Sequence, residues 1–260
     1  MAAGESGSPC DPTYPAMTFD PLTIFVFLLA ISLLGLSKGG LSGIGSLSMP
    51  MMFFVMSPPA AAGLILPILM MQDIFSVWLY RGQWDNGNLK LLVPAAAVGI
   101  GFGFAVFALL PTAVLFLFLG VVTVLFAARG LLKPPAPVKP SKLVGWILGM
   151  VSGLTSTVLH QGGPTFQMYM LPQRLPRNTF VATSVFYFWI VNMIKLPGFI
   201  VLGQLTRDGL IAAFAAMPFA LLMTWCGKKL VSHISVDRFY VIIHWLLAAV
   251  GVKLIVDGVM

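Results

Sequence analysis

Charged residues are scarce in this chain: Asp, Glu, Lys and Arg together make up only 9% of its 260 residues. A soluble domain of this length needs far more charge on its surface. Hydrophobic residues instead make up 58% of the chain, and the mean hydropathy is +0.96. The composition therefore excludes an ordinary soluble protein and indicates a protein whose surface mostly faces lipid.

Cysteine is rarer still: the chain has two, Cys10 and Cys226, which lie far apart in the sequence. Two such residues predict neither a disulfide framework nor a metal site. The sequence also lacks a Walker loop, a zinc-binding motif and a nucleophile elbow. We therefore expect no cofactor, no metal ion, no enzymatic activity and no ATP-driven transport by this chain.

The formal net charge is +7, but the basic residues are not gathered in one soluble region. Most of them flank apolar blocks, which is the pattern expected of membrane anchors. We therefore expect no nucleic-acid partner. Residues 1–20 lack the basic start of a signal peptide and are interpreted as a short acidic tail.

Apolar blocks follow one another along the chain, and most are long enough to cross a bilayer, which takes about 20 helical residues. They lie at 21–36, 41–56, 59–80, 89–110, 111–132, 142–160, 163–172, 179–201, 209–228 and 236–256. Continuous apolar blocks predict an all-α, polytopic transmembrane bundle. The blocks at 41–56 and 163–172 are too short to span alone, so they predict broken or re-entrant helices.

Four landmarks divide the chain into two related halves. An opening helix, a glycine-rich break, a short Gly-Gln turn and a proline inside the next helix recur in the same order. A linker at 133–141, rich in proline and lysine, separates a first repeat at 21–132 from a second at 142–260. The odd number of blocks in each half predicts that the repeats are inverted, and the basic loops place the linker in the cytoplasm.

The two glycine-rich breaks predict a substrate site. Such breaks are tolerated in lipid only where they are buried or line a wet cavity, and paired breaks mark the centre of many transporters. The helix ends they create suit an anion. Close helix packing through small residues is the alternative interpretation. The predicted site residues at the breaks are Lys38, Ser42, Gly43 and Gly45, and His160, Gln161, Gly162 and Gly163.

Ionisable residues inside apolar blocks add to this site. Lys38 and Lys195 could attract an anion, and Asp73 could neutralise one of the two lysines. Snorkelling to an interface is the alternative for both lysines. Ser184 and Asn192 lie near one face of the same helix and could donate hydrogen bonds to an anion, or simply join helices. Asp73 and His160 are the candidate groups for coupling to protons.

At the paired breaks the chain resembles the sulfite exporter family of the TauE/SafE type. The matching segments cover both halves from about residue 22, although the family's usual longer glycine run is reduced here to Gly43-Ile-Gly45-Ser46. They are Gly43-Ile-Gly45…Pro50, Pro58-Pro-Ala-Ala-Ala62, His160-Gln-Gly-Gly-Pro164, Leu175-Pro-Arg177, Ala182-Thr-Ser184 and Asn192…Lys195. The resemblance implies transport of small anions such as sulfite and organosulfonates without ATP.

Together these features predict a secondary transporter, and more specifically an exporter, of small sulfur-containing anions in the inner bacterial membrane. Its expected partners are the anion, the lipid bilayer and protons as a candidate coupling ion. An anion channel, an intramembrane enzyme built from distant residues, and a membrane scaffold protein remain as alternatives.

Overall fold

A computed structural model describes residues 20–41, 44–52, 55–56, 58–106, 112–132, 138 and 140–259. Throughout these ranges the secondary structure is helical, without a β-strand, which confirms the predicted all-α class. The helices are α1 (Pro21–Gly39), α2 (Ser48–Met52), α3 (Pro58–Leu79), α4 (Asn86–Val106), α5 (Thr112–Leu132), α6 (Lys142–Leu159), α7 (Gly163–Met170), α8 (Arg177–Val201), α9 (Arg207–Ser232) and α10 (Val236–Val259). Short 3₁₀ helices at Ile44–Leu47 and Leu171–Gln173 adjoin α2 and α7.

Six helices of the described part are long and apolar enough to cross a membrane. They are Pro21–Gly39, Ala60–Leu79, Asn86–Ala105, Arg177–Val201, Arg207–Ser232 and Asp237–Val259. A shorter apolar helix covers Lys142–Val158. Helices satisfy their own backbone hydrogen bonds, so they are the form in which such segments can cross lipid. The chain is therefore a multi-pass membrane protein.

Side-chain caps set the start of several of these helices. The Asp20 carboxylate accepts a hydrogen bond from the Thr23 N–H at 2.9 Å, and Pro21 takes the first helical position of α1. Hydrogen bonding to Thr23 holds the pKa of the Asp20 carboxyl below its usual range. Ser141 and Thr206 cap α6 and α9 in the same way.

The chain breaks twice where glycine-rich segments interrupt the apolar sequence. After α1 the chain runs back alongside it, as the hydrogen bond of 2.9 Å from the Ser48 hydroxyl to the Ala30 carbonyl shows. After α6, His160 adopts a left-handed conformation, and the Ser152 hydroxyl donates to the Gly162 carbonyl at 2.8 Å. The short α2 and α7 that follow these breaks confirm the prediction that 41–56 and 163–172 do not form full spanning helices.

One face of the bundle gathers the ends of α1, α3 and α9 with the linker. The Tyr80 hydroxyl donates to the Gly39 carbonyl at 2.6 Å, and Lys228 Nζ donates to the Leu79 carbonyl at 2.9 Å. The Val138 N–H, in the linker, donates to the Pro172 carbonyl at 2.9 Å. We call this the linker face. Because α1 ends there and α6 begins there, the two helices run in opposite directions, which is compatible with the predicted inverted repeats.

Basic residues concentrate at the linker face. They are Arg81, Lys90, Lys142, Arg174, Arg177, Lys228, Lys229 and Arg238. At the opposite face Arg207 is followed by Asp208, and Lys253 pairs with Asp257. An excess of basic residues is typical of the cytoplasmic face of a membrane protein. This distribution is compatible with the predicted cytoplasmic position of the linker.

Helices of the first half pack mainly against helices of the second. The pairs are α1 with α9, α4 with α6, α3 with α9, α4 with α8, α3 with α8, and α5 with α10. Each helix of the first half has a counterpart at the same place in the second: α6 for α1, α8 for α3, α9 for α4 and α10 for α5. If every helix is replaced by its counterpart, the same set of contacting pairs results. Glycines bring the paired backbones close together: Gly39 of α1 packs on α9, and Gly153 of α6 packs on α4.

Candidate functional site

A cavity of about 80 Å³ lies between the two broken segments and helices α1, α3, α6 and α8. A single water needs about 10–15 Å³ of such space, so the cavity can hold several waters or one small polyatomic anion. Its walls are partly apolar, with Leu34, Met49, Ile65, Leu69, Val185 and Phe188 among them. The remainder of the lining is polar and carries most of the predicted site.

The structure brings most of the predicted site residues together. Those that line the cavity are Lys38, Gly45, His160, Gly163, Ser184, Asn192 and Lys195. Asp73 contacts the cavity residues Lys38 and Asn192. Gln161 and Gly162 are buried in the second break but do not line the cavity. Ser42 and Gly43 lie outside the described residues.

Asp73 and Lys38 form a buried ion pair. The Asp73 side chain is fully buried and that of Lys38 is 11% exposed. The second carboxylate oxygen of Asp73 accepts a hydrogen bond of 2.6 Å from the Asn192 amide. Lys38 Nζ also lies 5.1 Å from the centre of the Phe188 ring. Lys38 therefore pairs inside the protein, and the snorkelling interpretation does not describe it.

Lys195 is buried as well, with 1% of its surface exposed, so it does not snorkel either. Its Nζ donates to the Ser156 carbonyl at 3.0 Å and to the Ser156 hydroxyl at 3.1 Å. Within the described part of the chain the ion pairs are Lys38–Asp73 and Lys253–Asp257, so Lys195 ion-pairs with none of the described carboxylates. A buried charge without a counter-charge is costly at membrane depth. An anion in the cavity would supply the missing charge.

His160 adds a second group with unused hydrogen-bonding capacity. Both ring nitrogens are buried and have no hydrogen-bond partner among the described residues. The ring packs edge-on against Phe199, with 5.5 Å between the ring centres. An unpartnered buried polar group costs about 1–3 kcal/mol. The neutral imidazole therefore has one N–H ready to donate to a bound molecule.

The N-terminal end of α7 also reaches the cavity, through Gly163. The first helical hydrogen bond of α7 runs from the Phe166 N–H to the Gly162 carbonyl, and Pro164 has no N–H. The first N–H groups of a helix have no partner within the helix, and they carry a partial positive charge. This end of α7 therefore adds to the positive potential that Lys195 creates.

Sequence reasoning missed two polar residues of the cavity, Ser37 and Gln167. Ser37 directly precedes Lys38 in α1, and Gln167 lies four residues after Gly163, within α7. Residues four apart share one face of a helix. Their positions relative to the predicted break residues were the available signal.

A family of known proteins matches the chain over most of its length. The model of the sulfite exporter TauE/SafE family matches residues 27–254. The chain belongs to this family. The match to TauE/SafE spans both broken segments and the whole cavity lining, from Leu34 to Lys195. No curated protein and no solved structure matches the chain.

Membership confirms the resemblance noted in the sequence and makes the chain a member of a family of sulfur-anion exporters rather than of enzymes. A transporter needs an intramembrane site for its substrate. In this TauE/SafE chain the cavity with the buried Lys195 is the candidate for that site.

Proposed function

We propose that the protein is a secondary transporter that exports small sulfur-containing anions, sulfite or an organosulfonate, across the inner bacterial membrane. The observation that carries the proposal is the buried side-chain nitrogen of Lys195, which lines the cavity and ion-pairs with none of the described carboxylates. Family membership supports the sulfur anion and the direction of transport.

The anion would sit with its oxygens toward Lys195, His160 and the start of α7. Lys195 Nζ has three N–H groups, and its bonds to Ser156 leave donor capacity directed at the cavity. The unpartnered ring of His160 supplies a further donor. Charge-assisted bonds of this kind are roughly twice as strong as neutral ones. The apolar wall would receive the organic part of a sulfonate.

Coupling to protons through Asp73 or His160 forms part of the proposal. Binding an anion beside the Lys38–Asp73 pair changes the local charge, and a proton taken up or released there would offset that change. An inward-directed proton gradient should then drive anion flux in proteoliposomes. Flux that is independent of the gradient would remove this element and leave the binding site in place.

The direct test is substrate binding by the purified protein, measured as the shift of its thermal midpoint on titration with sulfite and with methanesulfonate. We expect a saturable shift for wild type and its loss in Lys195→Gln, because the change removes the cavity's unpaired charge. Lys90→Gln is the matched control, since it removes the same charge from an exposed site.

A saturable shift that survives Lys195→Gln would contradict the site assignment.

Flux in proteoliposomes separates transporter from channel: a transporter saturates and exchanges labelled for unlabelled anion, whereas a channel carries currents far above transporter rates. A well-folded protein that binds and conducts no anion would favour the scaffold alternative.

A further inference from the structure

Among the described residues that line or contact the cavity, the ionisable side chains give one more positive than negative charge. Lys38 and Lys195 are its cations, and Asp73 is the carboxylate that contacts its wall. Neither ring nitrogen of His160 has an acceptor among the described residues, which an imidazolium would require, so His160 counts as neutral. The other described lining residues carry no formal charge.

Asp73 already binds two of the donors that line the cavity. One carboxylate oxygen holds Lys38 and the other accepts from the Asn192 amide at 2.6 Å. The carboxylate thus acts as a resident anion, attached to the protein. Of the described cations of the cavity, Lys195 is the one that remains for a charge brought in by a substrate.

The number of charges in the cavity limits the charge that a bound substrate can carry. With the protonation of Asp73 and His160 unchanged, a monoanion bound at Lys195 leaves the buried site neutral, whereas a dianion leaves one negative charge that only the uptake of a coupled proton would offset. An uncompensated charge at membrane depth is strongly disfavoured. Size alone would not separate such anions, since methanesulfonate and sulfate have the same number of heavy atoms and the same tetrahedral shape.

We propose that Asp73 is the specificity-determining residue that restricts this transporter to monoanions, by neutralising Lys38 so that a single positive charge, on Lys195, is left for the substrate. This inference rests on the proposed function and deepens it. Bisulfite and monosulfonates are then the transported species, and sulfate, the sulfite dianion and sulfoacetate are rejected.

Methanesulfonate and sulfate provide a matched pair of probes, because neither changes its charge near neutral pH. Both are titrated against the purified protein at one pH and one ionic strength, and dissociation constants are taken from the thermal-midpoint shifts. For wild type we expect methanesulfonate to bind at least about tenfold more tightly than sulfate, given the strength of charge interactions away from water.

Three variants change the charge of the site in a defined way. Asp73→Asn raises the net charge to two, and the preference for methanesulfonate should fall by at least about tenfold. The double change Lys38→Gln with Asp73→Asn returns the net charge to one and should restore the preference. Asp257→Asn is the control, because it removes a carboxylate that pairs with Lys253 outside the cavity and should leave the preference unchanged.

The double variant decides the question if Asp73→Asn alone does not fold, because it removes both charges of the pair together. An unchanged preference in Asp73→Asn, or its absence in the double variant, would overturn the role of Asp73. Tighter binding of sulfate than of methanesulfonate by wild type would overturn it too while leaving the proposed function standing. Binding of neither probe nor sulfite by wild type would instead refute the proposed function.

Discussion

Helices α3 and α8 take matching places in the two halves, but the polar residues they carry differ in charge. Counted from the starts of Pro58–Leu79 and Arg177–Val201, Asp73 corresponds to Asn192 and Ser76 corresponds to Lys195. Asp73 and Asn192 hydrogen-bond to each other, which is compatible with equivalent positions in the predicted inverted repeats. The two helices thus occupy corresponding positions, but α3 carries a carboxylate, Asp73, where α8 has an amide, and α8 carries a lysine, Lys195, where α3 has a serine.

This difference assigns separate tasks to the halves. The first half pairs its cation, Lys38, with its own carboxylate, Asp73. The second half leaves Lys195 with only neutral partners from the described residues. Under the proposed function, the first half supplies the charge balance and the second half supplies the charge that binds the anion.

The largest expected effect comes from breaking the pair in the first half. Asp73→Ala leaves Lys38 buried without its partner and should lower the free energy of unfolding by about 3–5 kcal/mol. Lys195→Met in the second half removes a charge that has no counter-charge and should not lower it. Thermal unfolding in detergent without added anion measures both. Equal destabilisation by the two changes would show that Lys195 is neutralised within the protein.

A smaller effect should come from the glycines at the crossings between the halves. A Cβ at Gly39 would overlap the Thr224 carbonyl of α9, and one at Gly153 would overlap the Ala96 carbonyl of α4. Gly39→Ala and Gly153→Ala should each destabilise by about 1–3 kcal/mol, because backbone cannot move aside as a side chain can. Gly101→Ala is the control, since nothing lies within 4 Å of its added Cβ. A loss confined to one crossing would show that the two are not equivalent.

The smallest effect concerns the hydroxyls that hold the two broken segments. Ser48→Ala leaves the Ala30 carbonyl without its hydroxyl donor, and Ser152→Ala does the same to the Gly162 carbonyl. Each should cost about 1 kcal/mol. Hydrogen exchange should show faster opening in the adjacent break alone, residues 44–52 for Ser48→Ala and residues 161–170 for Ser152→Ala. Faster exchange across the whole bundle would mean that the breaks are not held locally.

Much of the fold could be predicted from the sequence, because apolar blocks and their lengths depend on local composition alone. The two short blocks and the glycine breaks were recognised in this way. The environment of Lys195 could not be read in the same manner. Whether a lysine near a helix end reaches water or stays buried depends on the neighbouring helices, here on Ser156 of α6.

The pairing inside the site shows the same limit. The sequence predicted that Asp73 neutralises one of two lysines, but the choice of Lys38 depends on α1 and α3 lying side by side. Asn192 was interpreted as a substrate donor or as a link between helices, and in the structure its amide bonds to Asp73. Periodicity can place a residue on a helix face, whereas its partner is set by the packing of distant segments.

The interlocking of the halves has a consequence for biogenesis. The glycine face of α1 is covered by α9, whose residues Thr224 and Gly227 leave the ribosome long after Gly39. Until α9 has been translated and inserted, the small-residue surface of α1 faces lipid or an insertion factor. The packing of α1 is thus a post-insertional event that depends on a helix of the second half, and a product stalled before α9 would leave this surface open to quality-control proteases.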